Sequence, residues 1–174
     1  METWFRQKIL GYNREPYWPV HFTSTIVGDW RNVYCGIETC PGFSPGCYIQ
    51  AIGKIYIGDY TQIAPNVGII SSNHALNDNR GQLPEIVKIG KYCWVGMGSM
   101  ILPGVELGDY TVVGAGSVVT KSFPDGYCII AGNPAKVIKV LNKDECVTHR
   151  SNIEYNGYIA SNKFEDFRKR YLNV

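Results

Sequence analysis

Residues 89–124 read IGKYCWVGMGSMILPGVELGDYTVVGAGSVVTKSFP and divide into sixes that each begin with Ile, Val or Leu. Upstream, IGDYTQ (57–62), IAPNVG (63–68) and IISSNH (69–74) keep the same rule, so all nine first positions are Ile, Val or Leu. Second positions are Gly or Ala in six of the nine blocks, and fifth positions are Thr, Val, Cys or Ser in seven. A period of six suits neither the 3.6-residue turn of a helix nor plain strand alternation. It suits short strands joined by tight corners, with one large aliphatic turned inward on each face and a small residue beside it. Three such faces close a triangular coil of about 18 residues, and its apolar faces stay bare until neighbours stack on them.

The register persists upstream at Val27 and Val33 and weakens through Thr39, Pro45 and Ala51, which predicts about five coils in all. Gly58, Gly90, Gly108 and Gly114 suit corners where a side chain would clash or where φ is positive. Asp59, Asp109 and Tyr60, Tyr92, Tyr110 recur after them as outward corner residues. After His74 the chain inserts 14 residues, Ala75 to Lys88, before the beat resumes at Ile89. Their turn chemistry (Asn77, Asp78, Asn79, Gly81, Pro84) predicts a loop over 75–88 projecting from one corner. Loops of that length on a rigid scaffold usually carry function. At the ends, TWFRQKIL places Phe5 and Ile9 on one helical face, and NKFEDFRKRYL spaces Phe164, Phe167 and Tyr171 alike, predicting short helical caps. The expected organisation is a cap segment over 1–25, an all-β solenoid over 26–141 and a C-terminal helical tail over 142–174.

Composition excludes several classes of function. A net charge of +2 with 18% charged residues leaves no basic field for nucleic acid. No apolar run approaches the roughly 18 residues of a membrane span, and METWFRQKIL lacks a signal-peptide core, so the expected compartment is the cytoplasm. Six cysteines without an export signal do not imply a disulfide framework. No CxxC pair occurs, and the spacing of Cys35, Cys40 and Cys47 does not fit a zinc site, so no metal is expected. Of three histidines only His74 belongs to the regular stack, where a corner opens into the inserted segment.

The segments SSNHALNDN and VKIGKYCWVGMGSMILPGVELGDYTVVGAGSVVTKSFPDGYCIIAGNPAKVIK resemble the hexapeptide-repeat acetyltransferases, close to the galactoside, maltose and polysaccharide O-acetyltransferase branch. The resemblance covers roughly residues 45–140. It implies a left-handed parallel β-helix, a homotrimer with active sites between subunits, and acetyl-CoA as co-substrate. It implies His74 as general base, with the Met97 N–H facing the developing oxyanion. Trp94 would then wall the pantetheine arm, Ala115 and Gly116 would let it lie against backbone, and Thr120 with Lys121 would reach the nucleotide end. Lys136 and Lys139, in NPAKVIK, stand at basic positions that meet CoA phosphates in the family. An imidazole suits a general base near neutral pH, and such help is worth about 10²- to 10⁴-fold.

The acceptor side departs from the pattern of the galactoside-specific relatives. Galactoside-specific relatives hold the sugar with an asparagine in an earlier coil and an N-terminal acidic residue. Here that coil reads GFSPGCYIQAIGK, with no asparagine at that place. Candidates for a sugar acceptor are Asn73, Asn77, Asp78, Gln50 and the aromatics Tyr17, Trp18, Trp30 and Tyr34. The implied activity is O-acetylation of a sugar hydroxyl, by family analogy in surface-polysaccharide synthesis. Transfer to the amine of a nucleotide-linked amino sugar or to serine is the rival among enzymes. A zinc enzyme would need three histidines at an interface, and a non-catalytic trimeric scaffold would require neither the inserted segment nor the closing lysines.

Overall fold

A computed structural model describes residues 2–174. All nine first positions of the hexapeptides are buried: Ile57, Ile63, Ile69, Ile89, Val95, Ile101, Leu107, Val113 and Val119. The small fifth positions Thr61, Val67, Cys93, Ser99, Val105, Thr111 and Ser117 are buried beside them. Their hydroxyls are satisfied by corner carbonyls: Thr61 donates to Gly90 O, Ser99 to Gly96 O, Thr111 to Gly108 O and Ser117 to Gly114 O. A short hydroxyl can thus close a corner from inside at little packing cost, since each buried polar group finds its bond.

The backbone forms three sheets visited in rotation. The first face stacks Thr25–Gly28, Tyr48–Ala51, Gly68–Ile70, Met100–Ile101 and Val118–Val119, all parallel. The second stacks Val33–Cys35, Ile55–Ile57, Val87–Ile89 and Glu106–Leu107. The third stacks Gln62–Ile63, Trp94–Val95, Thr111–Val113 and Cys128–Gly132, and ends on the antiparallel strand Ala135–Val140. In register, Ile57 lies on Ile89 and Ile89 on Leu107, so the coil carrying the insertion takes 32 residues where the next takes 18.

Corners obey a common rule. Residues at positive φ include Gly46, Asn66, Gly98 and Gly116 at the third-to-first corner, and Tyr60, Tyr92, Tyr110 and Tyr127 at the second-to-third. The glycines Gly58, Gly90 and Gly108 are not themselves left-handed; they serve close approach. A Cβ on Gly108 would sit 2.2 Å from Pro124 O and 2.6 Å from Gly126 N, so the chain can stack there only without one. The four left-handed tyrosines form a ladder with ring centroids 5.3, 5.0 and 5.1 Å apart.

Three expectations are corrected. The insertion is not an irregular loop but a β-hairpin arm, with Ser72–Ala75 antiparallel to Asp78–Pro84. Val87 and Lys88 already belong to the second face, so the arm begins before His74 and ends before Lys88. The N-terminal segment, an α-turn over Glu2–Trp4 widening to a π-helix over Phe5–Ile9, leaves Phe5 and Ile9 exposed instead of packed. Wider winding turns Gln7 inward, where its amide donates to Trp18 O and its oxygen accepts from Val20 N and the Tyr158 hydroxyl. The C-terminal tail is α-helical only over Ser161–Tyr171, where Phe164 is buried against Tyr17 and Tyr34.

Residues 142–160 run mostly extended back along the tyrosine ladder. Lys143 lies over Tyr127, Tyr110 meets Thr148, Tyr92 donates to His149 O, and Tyr60 donates to Glu154 while accepting from Ser151 N. The tail thereby returns to the first coil, where Asn156 donates to Cys35 O.

Candidate active site

The arm leaves the prism between Gly68–Ile70 and Val87–Ile89, at the first-to-second corner. Gln50 braces its base by accepting from Ser72 N, and Ser71 donates its hydroxyl to Gln50 O. His74 stands exposed on the arm, opposite Gln82. Its Nδ1 lies 2.6 Å from Asn79 O. A carbonyl only accepts, so in the neutral ring Nδ1 carries the proton and Nε2 keeps its lone pair. The Gln82 amide lies 3.4 Å from each ring nitrogen, with its oxygen held by the Ser72 hydroxyl. The tautomer of a neutral His74 is thus fixed by its surroundings, with the Nε2 lone pair available to a proton.

Met97 occupies a different corner, between Trp94–Val95 and Met100–Ile101. Pro65, Met97 and Ala115 are stacked there, each followed by a residue at positive φ, the pattern of a type II turn. Their neighbours spend their amides along the stack: Gly96 N–H on Val113 O below, Gly98 N–H on Pro65 O above, Gly116 N–H on Met97 O above. The Met97 and Ala115 N–H groups meet no acceptor among the described residues, and at the equivalent place above, Pro65 has none to offer. An exposed, unspent backbone donor fixed by a rigid corner is suited to a developing oxyanion.

One chain therefore does not bring His74 and Met97 together; they project from separate corners. Trp94 shares the Met97 neighbourhood, 59% exposed on the third face between Gln62 and Val112. Ala115 and Gly116 are exposed on the corner one rung below Met97, and a Cβ on Gly116 would meet nothing within 4 Å. Thr120 and Lys121 lie past the last strand of the first face, with Lys121 Nζ 5.6 Å from the Phe123 ring centroid. Lys136 and Lys139 are exposed on the terminal antiparallel strand. Among the described residues none of these three lysines pairs with a carboxylate.

The acceptor candidates divide. Trp18 is fully buried with its indole donating to Pro41 O, and Tyr17 is buried beneath it, so neither can reach a sugar. Their hydrophobic bulk belongs to the core beneath the first coil, where the C-terminal helix covers them. Asp78 is tied to Arg80 in a two-point ion pair, and Asn73 reaches Glu85 at 3.4 Å; Asn77 stays exposed at the hairpin turn. Trp30 and Tyr34 pack partly against the core. Asn79 and Gln82, which set the His74 ring, escape a reading of motifs, because only the hairpin pairing brings them to it.

The thiols are not built for covalent chemistry. Burial pushes Cys40 up to about 12 and Cys93 up to about 11, and it raises Cys35, Cys47 and Cys128. None of these offers a thiolate near neutral pH. Among the described residues no three His, Cys, Asp or Glu gather as a metal site, and no helix is long and apolar enough to cross a membrane.

The family pattern for bacterial transferase hexapeptide (six repeats) matches residues 86–121. Nodulation protein L of Rhizobium meliloti (strain 1021) is 43% identical over 110 residues, 61% of this chain and 58% of its own length. Protein CapG of Staphylococcus aureus is 39% identical over 126 residues, 66% of this chain and 73% of its own. Among solved structures, a maltose O-acetyltransferase from Clostridium difficile 630 superposes with a TM-score of 0.61 at 36% identity, covering 68% of this chain and 65% of that one. A galactoside acetyltransferase in complex with coenzyme A gives a TM-score of 0.60 at 28% identity, covering 73% and 64%. The chain spans less than two thirds of nodulation protein L and of both solved chains. With the hexapeptide pattern matched in its ideal coils and close to two fifths of residues shared across most of CapG, the chain belongs to the hexapeptide-repeat acetyltransferase family.

Proposed function

We propose that the protein is an acetyl-CoA-dependent O-acetyltransferase acting on a sugar hydroxyl, surface polysaccharide included, and that it works as a homotrimer of left-handed β-helices with its sites between copies. The observation that carries this reading is the division of the machinery. A histidine with a fixed tautomer leaves one corner, and an unspent backbone donor faces out from another. Two copies side by side would bring such corners together, and the arm's exposed Leu76, Leu83 and Ile86 are ready for a neighbour's surface.

The outward rows support the same packing. The first face presents Gly68, Ile70, Met100 and Val118, and the third presents Trp94, Val112 and Ile129, both flanking the Met97 corner. The second face instead presents Lys88 and Glu106, paired at 3.3 Å. Charge is depleted where copies would meet.

In this reading His74 Nε2 removes the acceptor hydroxyl proton as that oxygen attacks the thioester carbonyl. The Met97 N–H of the adjacent copy stabilises the negative oxygen that forms. As the carbon–sulfur bond breaks, the imidazolium returns its proton to the leaving sulfur, so the products are an acetyl ester and the free thiol. No acyl-enzyme is needed, in keeping with the protonated, buried thiols. Trp94, Ala115 and Gly116 would line the pantetheine path, while Thr120, Lys121, Lys136 and Lys139 would meet phosphates as point charges without bidentate geometry.

A thermal-shift titration with acetyl-CoA tests this. Saturable stabilisation is expected, about 2.7 kcal/mol at 100 times Kd, weakened in Lys121→Ala/Lys139→Ala. No shift at millimolar acetyl-CoA would favour a non-catalytic scaffold.

A further inference from the structure

A hollow of about 390 Å³ opens on the third face, where the returning tail meets the first coils. Phe43 and Tyr155 wall it with aromatic surface, 53% and 43% exposed. Glu38 and Gln62 line it as well, both exposed to solvent, and among the described residues neither side chain is tied up in a hydrogen bond or ion pair. Ser44 is committed, donating to Ile63 O. Tyr155 is placed by the tail: Tyr60 holds Glu154, Asn156 donates to Cys35 O, and Tyr155 O accepts from Glu38 N.

We infer that this hollow takes a pyranose ring of the saccharide acceptor, and that Tyr155, brought from the C-terminal tail, is a specificity-determining residue within it. The inference rests on the acetyltransfer reading. An apolar sugar face stacks on exposed aromatics, while a carboxylate and a carboxamide, free of other partners, can hold neighbouring hydroxyls. A hollow of this volume is in the range of small-ligand sites. Gln62 is paired in register with Trp94 one rung below on the same face, so the ring would lie beside the proposed pantetheine path. The tail's passage along the tyrosine ladder then has a purpose beyond capping, since it delivers one wall of the acceptor site.

The test is an amide-resolved NMR titration with maltose and with methyl β-galactoside, beside acetyl-CoA titrations of the same samples. Saturable shifts at Thr61, Ile63 and Gly157 are expected from at least one sugar, with affinity reduced about tenfold or more in Tyr155→Ala and in Glu38→Gln while acetyl-CoA stabilisation stays unchanged. Glu38→Gln keeps the shape of the site, so it answers even if Tyr155→Ala loosens the tail. Absence of shifts at those amides with both sugars, or equal affinity in both variants, overturns the inference. Loss of the acetyl-CoA response in the unaltered protein would instead overturn the acetyltransfer reading.

Discussion

At His74, which we propose as the base, the carbonyl of Asn79 decides which ring nitrogen can act. With Nδ1 committed at 2.6 Å, Nε2 is the atom left to take a proton. We expect His74→Ala to keep assembly and acetyl-CoA affinity while thiol release in the presence of a saccharide acceptor falls by about 10²-fold or more. Retained turnover would remove His74 from catalysis. Gln82→Ala should cost less, on the order of tenfold and in kcat, since that side chain braces the ring at 3.4 Å from each of its nitrogens and itself takes no proton from the acceptor. The place of His74 at the start of the arm was legible because it ends the last regular block before the insertion. Asn79 and Gln82 were not, because strand register inside the arm cannot be read from turn-forming residues.

At the scale of the element, the corner is the unit that repeats. Some of its glycines, such as Gly108, admit a neighbouring backbone, and others, such as Gly98, take positive φ in open space, a difference substitution can expose. Gly108→Ala would drive a methyl onto Pro124 O at 2.2 Å and should cost about 2–4 kcal/mol in denaturant unfolding. Gly98→Ala, with nothing within 4 Å but φ at +70°, should cost nearer 1 kcal/mol. Equal losses would mean that close approach is not what selects glycine at position 108. The hexapeptide beat showed which residues face inward, but it could not show that tyrosines take the left-handed place at one corner. Bulky side chains pay strain there, and what offsets it is the stacked ladder and the returning tail, both long-range. The N-terminal helix misled for a related reason: the pattern of Phe5 and Ile9 assumed α winding, while the π-helix hands the buried place to Gln7.

At the scale of the molecule, the solenoid was readable from its period, since nine aliphatics at one spacing leave few other ways to be buried. The return of the tail was not, because residues 142–160 have no periodicity of their own and take their path from the tyrosines they cover. The proposed assembly rests on the two apolar faces. If the protein is the homotrimer we propose, replacing Met100 or Val118 by Asp on the first face should leave folded monomers by sedimentation, with turnover lost although His74 and Met97 are intact. Active monomers would show that one chain suffices.

We propose that the site is shared, with the base from one copy and the oxyanion donor from another. The most direct measurement is a crystal structure of the protein with CoA bound. We predict the CoA sulfur between copies, near His74 Nε2 of one and within reach of the Met97 N–H of its neighbour, with the phosphates toward Lys121 and Lys139. CoA bound with its sulfur remote from His74, or enclosed by a single chain, would contradict it.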